Sequence, residues 1–112
     1  TFQPHSGPFA RGIFATSMVR MTREVSTEEL RAIYQSLYAD SFVRLLPESP
    51  NVKTVRGTNY CDISVKCEGR TAIVTAAIDN LIKGGAGQAI QCLNLVCGFK
   101  KETGLSGYSI YP

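Results

Sequence analysis

This sequence carries little that could catalyse a reaction alone, and little that would hold it in a membrane or on a nucleic acid. His5 is its single histidine, and so its only side chain that ordinarily titrates near neutral pH. No apolar run approaches the roughly 18 residues of a membrane span, and the polar start Thr1-Phe2-Gln3-Pro4-His5 lacks a signal-peptide layout. The formal charge of +3 is spread among residues of both signs. No basic stripe with interleaved aromatics is present, which argues against nucleic-acid binding. Cys61, Cys67, Cys92 and Cys97 show none of the short paired spacings of zinc or redox sites. None of the four is near the histidine in sequence or at a visible helix start, so they read as reduced core or interface residues of a cytoplasmic protein. An initiator methionine is also missing, which suits a fragment, a processed product and a trimmed chain equally well. At 112 residues the chain amounts to one domain.

What is present alternates between strand and helix patterns, without repeats or linkers. Residues Gly12 to Met21 read as a long strand. Ser26 and Glu29 form a capping box, Val25 and Leu30 a hydrophobic staple, and Leu30, Ile33, Tyr34 and Leu37 recur with helical period. A helix is expected from about Thr27 to Ala39. A short strand near Phe42 to Leu46 is followed by the loop that Pro47 and Pro50 impose, then a brief strand over Val52 to Val55. Cys61, Ile63, Val65 and Cys67 alternate with Asp62, Ser64 and Lys66, as in a sheet with one wet face. Glu68-Gly69-Arg70 turns this strand back into Thr71 to Ile78, whose nearly continuous apolar character predicts a central strand covered on both faces. These two strands offer more apolar surface than two helices need. Self-association through the sheet is therefore expected, with Val65 in the contact.

The richest segment is Ile78 to Asn94, where an apolar strand passes through Gly84, Gly85 and Gly87 into a helix expected from about Gly85 to Cys97. Such a turn permits close backbone approach and leaves the first helix amides open to an anion or a carbonyl. It is no dinucleotide fingerprint, because Ile90 stands where the third glycine belongs and too little chain follows for another strand with its acidic residue. It is no P-loop either, since Lys83 precedes the glycines and no hydroxyl residue follows them. The helix sets Ala86, Ala89, Ile90, Leu93 and Val96 on one side and Gln88, Gln91 and Asn94 on another, and Gly98 is its expected C-cap. A face of amides suits packing against protein as well as half-exposure to water.

The string from Asp79 to Leu95, with Asn80, Lys83, Gly84, Gly87, Gln88, Gln91 and Asn94 in place, resembles N-acetyl-γ-glutamyl-phosphate reductase. Phe2-Gln3-Pro4-His5 leading into Arg11-Gly12-Ile13, the block Gly57 to Ile63, and Glu102-Thr103-Gly104-Leu105 resemble the same family in the same order. The resemblance implies a two-domain, NADPH-dependent enzyme of arginine biosynthesis that reduces N-acetyl-γ-glutamyl phosphate to its semialdehyde with release of phosphate. In that family a cysteine thiolate attacks the acyl phosphate and NADPH reduces the thioester. The implied fold is α+β, a mixed and largely antiparallel sheet with helices on one side, like part of the C-terminal domain of glyceraldehyde-3-phosphate dehydrogenase. By the same resemblance residues 1–112 are the C-terminal part of the substrate-binding and dimerisation domain. The Rossmann domain, the nucleophilic cysteine and the catalytic histidine would lie upstream, and this piece alone would be inactive.

Candidate site residues follow in two groups. Arg11, Gly12 and His5 make up the substrate side, where Arg11, beside Gly12 at a strand start, is placed to grip an anion in two-pronged fashion. In the wider superfamily an arginine at this position contacts the substrate's anionic group, and the alternative is a structural ion pair with Asp62 or Asp79. His5 would support Arg11 or set the local shape. On the cofactor side the resemblance implies that the Asn80 amide faces the nicotinamide carboxamide of NADP. Lys83, Gly84, Gly85, Gly87 and Gln88 would then lie near the cofactor domain, Gly84-Gly85-Ala86-Gly87 standing where the family more often has Gly-Ala-Ala-Gly. A turn or capping role is the alternative for Asn80. Homo-oligomers, dimers or tetramers, are expected. The rival readings are the related aminoadipyl-phosphate reductase of lysine biosynthesis and a non-catalytic dimerising module.

Overall fold

A computed structural model of the chain describes residues 2–39 and 42–107. Its centre is one sheet of four strands, β1 (Ile13–Arg20), β2 (Val43–Leu45), β3 (Cys61–Glu68) and β4 (Thr71–Ile78), in the order β1-β4-β3-β2. The β3–β4 hairpin and the β1–β4 pair are antiparallel, while β2 joins β3 in parallel. A parallel neighbour needs a crossover, and residues 46–60 supply it. The fold is the expected α+β arrangement with a mixed, largely antiparallel sheet.

Helix α1 (Thr27–Leu37) begins as the sequence predicts, with Ser26 Oγ accepting from the Glu29 N–H at 3.0 Å. The reciprocal half of the capping box is replaced, because the Glu29 carboxylate pairs with Arg23 instead. From its apolar stripe Leu30 and Tyr34 pack on one face of the sheet, where Val25, Leu30, Ile63, Val65 and Ala72 form the core, while Ile33 and Leu37 stay exposed. Each of the Val, Leu and Ile side chains contributes about 1.5–3 kcal/mol when fully buried. Two polar ties fix the helix: Arg31 Nη1 donates to Leu46 O at 2.7 Å, and the Cys67 N–H donates to Thr27 Oγ1 at 3.0 Å.

Register then decides which sheet face is open. Val65 pairs with Val74 and Ile63 with Ala76, so these side chains lie on the α1 side. Val65 is only 3% exposed and belongs to the core, which corrects its expected place in a sheet-to-sheet contact. The alternate set, Phe14, Thr16 and Met18 with Ile73, Thr75, Ser64 and Lys66, forms the other face. Central position is right for β4, but only its ends, Ala72 and Ala77, are fully covered. The outer strand β1 is exposed along its whole length.

Two segments differ from expectation. Val52–Val55 is not a strand but one helical turn, α2, which lies against β4. Local polar bonds overrule the β-branched side chains: Asn51 Oδ1 accepts from the Lys53 N–H at 3.0 Å, and Thr54 Oγ1 donates to Asn51 O at 2.7 Å. Because Thr54 Oγ1 also reaches Asp62 Oδ2, at 3.1 Å, α2 packs by the sheet face opposite α1, and the helices are not all on one side. The last helix likewise starts later than Gly85. A π turn, Ile82–Ala86, comes first, and α3 spans Gly87–Val96. Gly98 ends α3 as expected, at φ +73°, with the Phe99 N–H bonded to Asn94 O at 2.8 Å and the Gly98 N–H to Leu95 O at 3.3 Å.

Candidate functional site

The candidates from the two ends of the sequence meet where β1 begins and β4 ends, because the register sets Ile13 opposite Ile78. Arg11-Gly12 therefore faces Asp79-Asn80 across the end of the sheet. Arg11 Nη2 donates to Asp79 Oδ1 at 3.1 Å, and Nε lies 2.7 Å from Oδ2 as an ion-pair contact without hydrogen-bond alignment. The Gly12 N–H donates to Asn80 Oδ1 at 2.8 Å. Gly12 holds φ +118°, and a Cβ there would sit 3.1 Å from Val52 Cβ, so the position suits glycine on both counts.

Asp79 is wholly buried, with 0% exposure, and is the densest hydrogen-bond acceptor of the site. Its Oδ1 accepts from the Leu81 and Ile82 N–H groups, each at 2.8 Å, and its Oδ2 from the Gly57 N–H at 2.6 Å. Burial alone would raise its pKa, but the Gly57 amide, the Arg11 guanidinium and the Ile82 and Leu81 amides outweigh it and hold the carboxyl below its ordinary value. Sequence reasoning had Asp79 only as an alternative partner for Arg11. Its place two and three residues before the amides it caps, at the end of an apolar strand, is the signal that could have found it.

The ion pair of Arg11 with Asp79 does not exhaust the guanidinium. Five N–H donors lie on its planar fork, and among the described residues no hydrogen bond uses Nη1. The side chain keeps 27% of its surface exposed, so one edge is anchored and the other is available to an anion. The Asn80 amide is similarly divided, with its oxygen given to Gly12 and no hydrogen bond of the described residues using Nδ2. Asp62, the other proposed partner of Arg11, instead holds Arg44 by two bonds of 2.6 and 2.9 Å, and Arg44 lies over the Tyr60 ring.

The glycine turn is tied inward more than expected. Asp79 occupies the Leu81 and Ile82 amides, while Gly84 N and Ala86 N donate to Asp79 O and Leu81 O, both at 2.8 Å. These amides are therefore not open to a ligand. A Cβ on Gly84 would stand 3.2 Å from Asp79 O. On Gly87 it would lie 2.5 Å from Asn59 Oδ1, 2.7 Å from Ile82 Cγ2 and 2.9 Å from Ile82 O. Gly87→Ala is therefore expected to destabilise the protein by about 1–3 kcal/mol, read from urea unfolding; an unchanged midpoint would show that the turn yields freely. Gly85 is the open member, with φ −153° and ψ −112° and only Asn80 O, at 3.5 Å, near a would-be Cβ.

Lys83 Nζ donates to Gln91 Oε1 at 2.9 Å and lies 5.6 Å from the centre of the Phe42 ring, so it supports the turn from within. Gln91 Oε1 also accepts from Asn59 Nδ2 at 3.0 Å. The cluster of Gln91 with its two donors, Asn59 and Lys83, has no local sequence signal beyond Gln91's place on the amide face. Gln88 is exposed, its amide 3.5 Å from Cys92 Sγ. His5 is exposed in the irregular stretch before β1, and no hydrogen bond or ion pair among the described residues links it to Arg11. An open cleft of about 550 Å³ between Pro47–Ser49 and Ser64, Lys66 and Thr75 contains none of these candidates.

In α3 two of the three amides are inside, Gln88 being the exception, and the large apolar residues are outside. Gln91 and Asn94 are buried, Asn94 Nδ2 donating to Thr103 O at 2.9 Å. Ile90, Leu93, Leu95 and Val96 are exposed, Val96 at 85%.

A family profile described as "Semialdehyde dehydrogenase, dimerisation domain" matches residues 1–80. The chain belongs to this dimerisation-domain family. Over its full length it is 47% identical to the N-acetyl-gamma-glutamyl-phosphate reductase of Pelobacter propionicus. It is 49% identical to the protein of that name from Desulforamulus reducens and 46% to that of Bacillus subtilis. In each case the chain covers 34% of the relative, so it spans about a third of the length of the curated relatives it matches. The semialdehyde dehydrogenase match extends from the start of the chain through Asn80 and includes the whole sheet. No helix among the described residues is long and apolar enough to cross a membrane.

Proposed function

We propose that this chain is the C-terminal third of an NADPH-dependent N-acetyl-γ-glutamyl-phosphate reductase, acting in the cytoplasm as a homo-oligomer. The observation that carries the reading is similarity over the full chain to proteins bearing that name. In this role Arg11 binds the substrate's anionic group through its Nη1 edge while Asp79 holds the other edge. Asn80 offers its Nδ2 donor toward the cofactor, which fits a carboxamide oxygen, since Gly12 already occupies the acceptor end. When bound, NADPH supplies the hydride. Gly85 and Gln88 lie on the open side of the turn, whereas Lys83, Gly84 and Gly87 shape it from behind. The exposed apolar side of α3 supports docking against a further domain of the same enzyme. The nucleophile and the proton-transfer group come from that remainder.

The test is the full-length protein assayed for NADPH oxidation coupled to phosphate. Arg11→Lys is expected to lower kcat/KM at least about tenfold, equivalent to about 1.4 kcal/mol, because an ammonium cannot serve Asp79 and an anion with two planar edges. Unchanged kinetics would remove Arg11 from the site. The chain alone is expected to show no turnover, and activity above background would overturn the division of labour proposed here.

A further inference from the structure

The geometry points to Asp79 as a positioning residue that sets Arg11 and Asn80 as one unit, so that the grip on the acyl phosphate and the donor toward NADPH are fixed together. The inference rests on the function proposed above and adds a residue to it. Two dipeptides clasp each other: the Arg11 side chain meets the Asp79 carboxylate, and the Gly12 N–H meets the Asn80 amide oxygen. The same carboxylate then reaches past Asn80 to cap Leu81 and Ile82, and across to Gly57. Asn80 is thus held between an anchored residue on one side and two capped amides on the other. A fully buried carboxylate with this many donors has little freedom to move. Both of its oxygens are engaged by Arg11, Gly57, Leu81 and Ile82 and it is closed to solvent, so it acts through its neighbours.

In the full-length enzyme, Asn in place of Asp79 keeps the shape but loses the charge and half the acceptor capacity. Asp79→Asn is expected to raise KM for the acyl phosphate and KM for NADPH together, each about tenfold. Arg11→Lys should raise chiefly the first and Asn80→Ala chiefly the second. A purely structural aspartate would lower thermal stability and leave both KM values within about twofold in the folded enzyme, which would overturn the inference. Should Asp79→Asn not fold, Asp79→Glu answers the question. It keeps the charge and displaces the carboxylate by one methylene, so a joint rise in both KM values supports positioning and an unchanged pair overturns it. If Arg11→Lys and Asn80→Ala each leave their own KM unchanged, the site proposed above fails and this inference falls with it. If those two behave as stated and neither Asp79 variant moves both values, only the positioning role is lost.

Discussion

Arg11→Ala is expected to destabilise the protein by about 3 kcal/mol at neutral pH, the low end for breaking a buried ion pair. Asp79 is completely buried and would keep its negative charge without a countercharge. The low end applies because three backbone N–H groups continue to solvate the carboxylate. The loss should depend on pH in a defined direction. The folded carboxyl lies below its ordinary value, so its ionisation stabilises the native state fully above about pH 4 and that contribution disappears as pH falls through the folded value. Alanine removes one of the groups that lower the pKa, leaving the variant with less to lose in acid. The gap between wild type and variant should therefore narrow below about pH 4. Urea unfolding of both proteins at neutral and acidic pH checks this. A constant gap would mean that packing of the arginine stem, not the charge pair, is what alanine removes.

Val65→Glu is expected to cost about 4–5 kcal/mol or more, because it sets a carboxylate among Val25, Leu30, Ile63 and Ala72 with no partner. Against a typical total stability of about 5–15 kcal/mol, that is enough to abolish the native state. The readout is soluble yield and the loss of cooperative unfolding. Met18→Glu is the informative contrast, since Met18 lies on the face away from α1 and is 74% exposed. Stability should change by no more than about 0.5 kcal/mol there, while sedimentation of the full-length protein should shift toward smaller species if that face meets a second subunit. A folded and cooperative Val65→Glu protein would show that α1 does not cover the sheet as described.

The elements most legible in the sequence were those with two local signals in agreement. Helix α1 had both a cap and a period, and the β3–β4 hairpin had both alternation and a glycine turn, at φ +58° for Gly69. Where only composition spoke, tertiary contacts decided otherwise. Val52–Val55 has strand-forming side chains, yet Asn51 and the Thr54–Asp62 bond make it a helical turn. Alternation in β3 fixed which residues share a face but not which face the helix covers, so Val65 was assigned to the wrong surface. At the site, the resemblance brought Arg11 and Asn80 forward; Arg11 is paired with Asp79, one of its two suggested partners, and no hydrogen bond among the described residues uses its Nη1. What stayed hidden was long-range. Asp79 reaches Gly57, 22 positions earlier, and Asn59 reaches Gln91, 32 positions later. No local pattern encodes such partners.

The outer position of β1 has a consequence for how the protein must be made. Along its outer side every second N–H and C=O meets no strand among the described residues, and the strand Ile-Phe-Ala-Thr-Ser-Met-Val-Arg has no proline and one charge. Such an edge is a template that accepts any extended segment of suitable length, another copy of the same strand included. During synthesis the edge stays open to a second molecule until something covers it. Yield of this piece in isolation will accordingly follow concentration and the speed of capture, and slow expression at low temperature or an added lysine on the open edge should recover more soluble protein than any gain in core packing.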